Sequence, residues 1–271
     1  MSDLGKLTVG CVGVGSMGGA IVARLARSRR FKSILCCDTD RERLKAVEKR
    51  SGVRVASSAG ELCRQSDIVI IAVKPNDVTP LLASLRDDAA GRIIVSIAAG
   101  VTIASLEEML PRGQKVVRVM PNAPALIGMG MSVLSAGSHT DEASLGTIEA
   151  AFSLIGRVLV LPERLMDAVT ALSGSGPAFV FTMIQAMADG GVKEGLPREK
   201  ALVLAAQTAL GAAAMILDGG DPMALRGRVA SPGGTTIEGI HVMEKAGFSG
   251  IVMDAIEAAA LKSKKLGEKK Q

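Results

Sequence analysis

Three glycines, Gly13, Gly15 and Gly18, stand in "GCVGVGSMGGA" at G-x-G-x-x-G spacing. They follow the apolar run that begins "KLTV" and precede "SMGGAIVARLARS", whose apolar residues recur at helical spacing. Alone the pattern is common. Between a strand and a helix it makes a tight turn, lets a backbone approach a diphosphate, and lets the helix pack closely on the strand. The helix start adds unpaired N–H groups and the positive end of the dipole. The turn, with Val14, Ser16 and Met17 between its glycines, is therefore a candidate dinucleotide-phosphate site. A βαβ unit is the structure that carries such a turn.

Up to about residue 160 the chain keeps that grammar, alternating apolar runs with amphipathic stretches. "KSILCCDTD", "SDIVIIAVKP", "GRIIVSIAAG", "QKVVRVMPN", "GMSVLSAG" and "GRVLVLP" read as further strands of a parallel sheet of seven or eight. "RERLKAVEKRSG" reads as the second helix. After Pro162 the strand grammar stops. "ERLMDAVTALSGSG", "PAFVFTMIQAMADGGVKEG", "PREKALVLAAQTALGAAAMILDGG", "PMALRGRVA" and "FSGIVMDAIEAAALKSKKLG" read as helices opened by Pro or Ser and closed by Gly. The expected fold is α/β: a Rossmann-type doubly wound domain over residues 1–162 and an all-helical domain over 163–271. Several of the later helices are apolar nearly all round and need cover on every side. A second copy of the chain is the expected cover, so the helical domain should make an obligate homodimer.

Composition narrows the rest. The chain of 271 residues has no Trp, no Tyr and thirteen Met, so aliphatic side chains must fill its cores. The net charge of +5 lies largely in "RLARSRRFK" and in the tail "KSKKLGEKKQ", without interleaved aromatic residues. It reads as a solvated face and tail rather than a nucleic-acid surface. Cys11, Cys36, Cys37 and Cys63 show neither metal-ligand spacing nor CxxC, so no metal is expected. The opening "MSDLGKLTVGCVG" enters a strand at once, without a signal-peptide pattern. No apolar run reads as approaching the ~20 residues of a membrane span. A cytoplasmic protein with no membrane partner is the expectation.

Ligands of open α/β sheets lie along the carboxyl edge of the strands. Asp38 ends the second strand where an acidic residue typically holds a ribose 2′-hydroxyl, which favours NADH over NADPH. Arg41 and Arg43 follow at once and reverse that preference if they fold over the adenosine end; the other reading is a solvated first turn. "AVKP" (Ala72, Val73, Lys74, Pro75) and "SIAAG" (with Ile97, Ala98, Ala99 and Gly100) end the next two strands and should lie under the dinucleotide. Lys74 meets a phosphate or caps a helix. Asn122, in "MPNAP", contacts ribose or the nicotinamide amide, or simply makes a turn.

With these residues assembled, the chain resembles the pyrroline-5-carboxylate reductases. The resemblance runs nearly end to end and is sharpest in "LSGSGPAFVF", "ADGGVKEGLPR", "AAQTALGAAAMI" and "SPGGTTIEGI". It implies reduction of L-1-pyrroline-5-carboxylate to L-proline by NADH or NADPH, and dimers that often assemble further, frequently to decamers. It also implies that Ser231, Gly234 and Thr235, around the bend at Gly233, bind the substrate carboxylate. Thr236 matches the threonine facing the ring nitrogen, and Ser175 a turn beside nicotinamide and substrate. A helix cap by Ser231 or Thr235 is the structural alternative and uses the same donors. Glu163 and Asp167 lie near the pocket or merely in a first helical turn. Phe179 stands where many relatives have Tyr, and Asp38 where NADPH-preferring relatives have a neutral residue. No histidine is needed: a protonated cyclic imine already accepts hydride, and the hard chemistry belongs to the cofactor. A β-hydroxyacid dehydrogenase is disfavoured because "SGSGPAFVFTMIQ" lacks that class's lysine. A non-catalytic dinucleotide sensor is the other rival.

Overall fold

The computed structural model describes residues 3–268, and their packing divides into two units. Unit 1 holds residues up to Ser175 together with those from Ala259 onward; unit 2 is Gly176–Ala258.

Unit 1 is an eight-stranded sheet. Its strands are β1 (Thr8–Val12), β2 (Ser33–Cys37), β3 (Arg54–Val55), β4 (Ile68–Ile71), β5 (Ile93–Ser96), β6 (Lys115–Met120), β7 (Gly130–Ala136) and β8 (Gly156–Val160). Between them run α1 (Ser16–Ser28), α2 (Arg41–Ser51), α3 (Ala59–Arg64), α4 (Pro75–Leu85), α5 (Ile103–Met109) and α6 (Glu142–Phe152). The strand order, β3-β2-β1-β4-β5-β6-β7-β8, reverses between β1 and β4. That reversal is the switch point where such sheets take ligands. Central β4, "IVII", is buried along its whole length because helices cover both faces. Its residues alternate as strand geometry requires. Ile68 and Ile70 join Ile21, Leu25 and Phe152 on one face, while Val69 and Ile71 join Leu62, Leu82 and Leu106 on the other.

Two details depart from the sequence reading. The sheet is not wholly parallel, because β7 runs antiparallel to β6. Only a 3₁₀ turn at Ala123–Ile127 joins them, too short for a crossover back to a parallel register. The eighth strand is β3, a two-residue edge whose length leaves no periodicity to read.

The part of unit 1 that precedes Gly176 ends in α7 (Met166–Val169) and a π-helical turn at Thr170–Gly174. Met166 and Val169 bury against Met120 and Val133 of the sheet. The change from strands to helices at 162–163 therefore does not coincide with the packing boundary at Ser175–Gly176. The first helical residues after Pro162 belong by packing to the sheet.

Unit 2 contains α8 (Gly176–Lys193), α9 (Arg198–Leu217), α10 (Pro222–Val229), α11 (Thr235–Lys245) and most of α12 (Phe248–Glu268). Its buried side chains, among the described residues, are Ala188, Ala201 and Ala205, where α8 and α9 cross closely. Large apolar side chains stay exposed, among them Phe181 at 63%, Val203 at 66% and Met253 at 66%. Helix α9 is long and apolar enough to cross a membrane by length and composition, contrary to the sequence expectation. Gln207 and Thr208 divide the run from Ala201 to Leu217 into two apolar blocks, each far shorter than a span.

Candidate functional site

Short polar residues cap five of the described helices: Asp40, Ser58, Thr102, Asp141 and Asp221 accept first-turn N–H bonds at α2, α3, α5, α6 and α10, whereas α4, α7 and α9 begin without a side-chain cap. Helices α1 and α11 begin instead at Gly15 and Gly234, with no side-chain cap. Their first N–H groups are left for something other than their own side chains.

The turn before α1 is built by close approach. Gly13 adopts φ +94°, and a Cβ there would stand 2.7 Å from the Ala72 carbonyl oxygen. The approach is held by Gly13 N–H donating to Cys37 O and Ala72 N–H to Val12 O, both at 2.8 Å. A Cβ on Gly18 would overlap the Gly13 carbonyl oxygen. Gly15 differs: the nearest protein atom to a Cβ there is Arg43 Nη1 at 3.9 Å. Packing does not require glycine at 15, and the space beside it suits a ligand lying on the backbone. The turn thus fits a dinucleotide diphosphate, with Val14, Gly15, Ser16 and Met17 around the open helix start.

Asp38 follows β2, and both its carboxylate oxygens serve the backbone. Oδ2 accepts from Val14 N–H at 2.6 Å and Oδ1 from Asp40 N–H at 2.9 Å. The residue assigned from sequence to a ribose hydroxyl thus pins the phosphate turn to the end of β2. Ala72 and Val73 follow β4, and exposed Lys74 is the N-cap residue of α4 with Pro75 as its first residue. Ile97 N–H is tied to Ile71 O at 3.1 Å; Ala98 is buried, Ala99 exposed, and Gly100 turns at φ +74°. These loops share the carboxyl edge of the sheet with the glycine turn.

Asn122 has a different task from either sequence option involving ligand. Its Oδ1 accepts from Met131 N–H at 2.8 Å, and Nδ2 donates to Ser173 O and Oγ at 3.2 and 3.3 Å. It clamps the π turn, whose closing bond is Ser175 N–H to Thr170 O at 2.8 Å. Such turns are rare and concentrate at functional sites. Glu163 and Asp167 are structural as well. Glu163 Oε1 accepts from buried Arg118 Nη1 at 2.8 Å and from Ile103 N–H at 2.7 Å, and Asp167 accepts from Ser263 Oγ at 2.6 Å.

In unit 2, "SPGGTT" forms a bend with Gly233 at φ +66° and Gly234 N–H donating to Ser231 O at 3.1 Å. A Cβ on Gly234 would crowd Ser231 Oγ, so a larger residue there requires the Ser231 hydroxyl to turn away from the bend. Neither Ser231 nor Thr235 caps α11. Thr235 is exposed and Thr236 half-buried in the open first turn. Phe179 is 36% exposed on α8, and His139 and His241 are exposed.

The electrostatics are one-sided. A cleft of about 420 Å³ beside the glycine turn is lined by Gly15, Ser16, Arg24, Arg27, Arg43 and Arg50 among others, and by no carboxylate. Arg24 and Arg27 belong to the run read from sequence as a solvated face. Their signal was positional: residues 16, 20, 23, 24 and 27 share one face of α1. Burial pushes the Cys36 thiol up to about 11 and Cys11 higher still, with neighbouring Cys37 and Cys36 respectively adding to the rise. Neither is a nucleophile at neutral pH. No cluster of three or more metal-ligating side chains occurs among the described residues.

A glycine turn opening an uncapped helix at the switch point of a doubly wound sheet defines a nicotinamide-dinucleotide oxidoreductase of Rossmann type. Residues 8–100 match the family model described as NADP oxidoreductase, coenzyme F420-dependent, and residues 163–266 the model for pyrroline-5-carboxylate reductase dimerisation. The chain is 42% identical over 265 residues to the pyrroline-5-carboxylate reductase of Methanosarcina acetivorans, covering 96% of this chain and 98% of that protein. The NADP-bound pyrroline carboxylate reductase of Plasmodium falciparum superposes with a TM-score of 0.88 at 32% identity, over 97% of this chain and 99% of that one. The enzyme from Coxiella burnetii does so with 0.91 at 30%, over 96% and 98%. This chain belongs to the pyrroline-5-carboxylate reductase family. Its helical region is a dimerisation domain, and the exposed apolar side chains of unit 2 are those of a self-associating surface.

Proposed function

We propose that this protein reduces L-1-pyrroline-5-carboxylate to L-proline, the last step of proline biosynthesis, with NADH or NADPH. Bound at the glycine turn, the reduced nicotinamide supplies a hydride to the imine carbon. The C=N π pair moves to the ring nitrogen, which loses its positive charge and becomes a secondary amine. The chain's part is placement. The open first turn of α11 holds the substrate carboxylate through N–H groups around Gly234 and Thr235, with the Ser231 hydroxyl beside them. The Thr236 hydroxyl hydrogen-bonds the ring nitrogen, and Ser175 borders the substrate. No acid–base pair is required because the protonated imine is already electrophilic.

The observation that carries this reading is the start of α11 at Gly234 with no side-chain cap, which leaves first-turn N–H groups free to receive a carboxylate. Self-association is part of the proposal: a homodimer, able to assemble further, is the working unit, and the apolar face of α9 is covered by protein rather than lipid. Four free thiols suit a reducing cytoplasm. Loss of reduced-nicotinamide absorbance on adding pyrroline-5-carboxylate, with proline formed in equal amount, is the expected result. Cofactor binding without consumption would refute the assignment in favour of a sensor.

A further inference from the structure

We infer that Arg43 reads the adenosine 2′-phosphate, so that this chain selects NADPH over NADH even though an aspartate ends β2. The inference rests on the reading above, that the turn before α1 holds a nicotinamide dinucleotide. An acidic residue at this place ordinarily favours NADH by accepting from the ribose 2′-hydroxyl and repelling a phosphate. Here Asp38 is turned to other work. Its two oxygens accept Val14 and Asp40 N–H groups, so its charge is compensated by the backbone it holds.

Arg43 is aimed the other way. Asp40 accepts from the Arg43 backbone N–H at 3.2 Å and pairs with its Nε at 3.0 Å. The pair leaves the outer edge of the guanidinium facing Gly15, with Nη1 3.9 Å from the place a Cβ would take. Val14, next to Gly15, donates to Asp38 at the end of β2, and Arg43 pairs with Asp40 two residues further on, so the guanidinium stands at the place where the adenosine ribose lies in this fold. Arg24, Arg27 and Arg50 line the same cleft, so the local field is positive. The spacing is that of two helix faces: residues 43, 47 and 50 of α2 beside 20, 23, 24 and 27 of α1. A guanidinium edge pairs bidentately with a phosphate, whereas a neutral hydroxyl gains little from it. The difference between the two cofactors is therefore carried by Arg43 and its neighbours rather than by Asp38.

Calorimetric titration of the purified protein with NADPH, NADH, 2′,5′-ADP and 5′-AMP tests this without turnover. NADPH should bind at least about tenfold more tightly than NADH, and 2′,5′-ADP than 5′-AMP, the size of a charge-assisted bond. Arg43→Ala should collapse both ratios by weakening the phosphorylated ligand far more than its partner. Arg43→Lys, which keeps the charge but not the fork, should give intermediate ratios. Arg43 is an exposed residue of α2, and helix content by circular dichroism checks that the variants fold. Equal affinities in the wild type, or ratios that survive Arg43→Ala, would overturn the inference. Failure of both dinucleotides to bind would remove the parent reading, and this one with it.

Discussion

Residues in this chain have their roles set by different ranges of interaction. Gly13 and Gly18 are explained by atoms next to them: one needs positive φ, and the other lies too close to a carbonyl for any Cβ. Asp38 is explained by the Val14 N–H that it meets across the turn, together with the Asp40 N–H two residues on. Asp38→Ala should therefore weaken NADH and NADPH alike by loosening the turn, as read by titration; selective loss of NADH would restore the ribose role. Thr236 stands half-buried in the open turn of α11. Thr236→Ala should lower kcat at least about tenfold, the usual scale for removing a positioned donor. A variant with wild-type kcat would take the hydroxyl out of the chemistry. The thiols give a third measurement. Cys11, Cys36 and Cys63 are fully buried with pKa values pushed up by that burial, while Cys37 is partly exposed. A thiol reagent at mildly alkaline pH should modify at most Cys37 in the native protein and all four cysteines in denaturant.

Between elements, the least visible feature of the sequence is the Arg118 node. An arginine in the middle of the apolar strand "KVVRVM" looks out of place, and nothing local identifies its partner. In the structure it is 4% exposed and reaches Glu163, which also receives the first N–H of α5. One carboxylate thereby joins the sheet, α5 and the chain leaving β8. Removing it strands a buried charge whose Nε already lacks a partner among the described residues. Glu163→Ala should cost about 3 kcal/mol, the lower end of the range for a broken buried pair because Glu163 keeps some solvent contact. Urea unfolding measures it, and a loss under about 1 kcal/mol would show the pair to behave as a surface one. The Asn122 clamp on the π turn is similar in kind. "MPNAP" announces a turn, but only the fold reveals that its amide grips Ser173.

At the scale of the molecule, the two units have unlike claims to stability. Unit 1 closes apolar cores over both faces of its sheet. Unit 2 buries alanines and leaves Phe181, Val203, Met253 and many others in water, a surface that only association removes. Sedimentation at micromolar concentration should show no monomer, and Val203→Glu on α9 should shift the protein to smaller species. At dilutions where monomer does appear, reduction of pyrroline-5-carboxylate should vanish. A fully active monomer would contradict a working unit made of two copies.

The sequence by itself determined the turn before α1, the start of α11, the class of each half and the need for a partner. All of these follow from backbone sterics or from periodicity, which act within a few residues. Tertiary structure alone decided that β7 runs antiparallel, that the first helices after Pro162 pack with the sheet, and that Arg24, Arg27, Arg43 and Arg50 share one cleft. It also decided that Asp38 and Asn122 hold backbone. A polar side chain reports its chemistry in the sequence but not its partner, because the partner is chosen by which distant segments the core brings together.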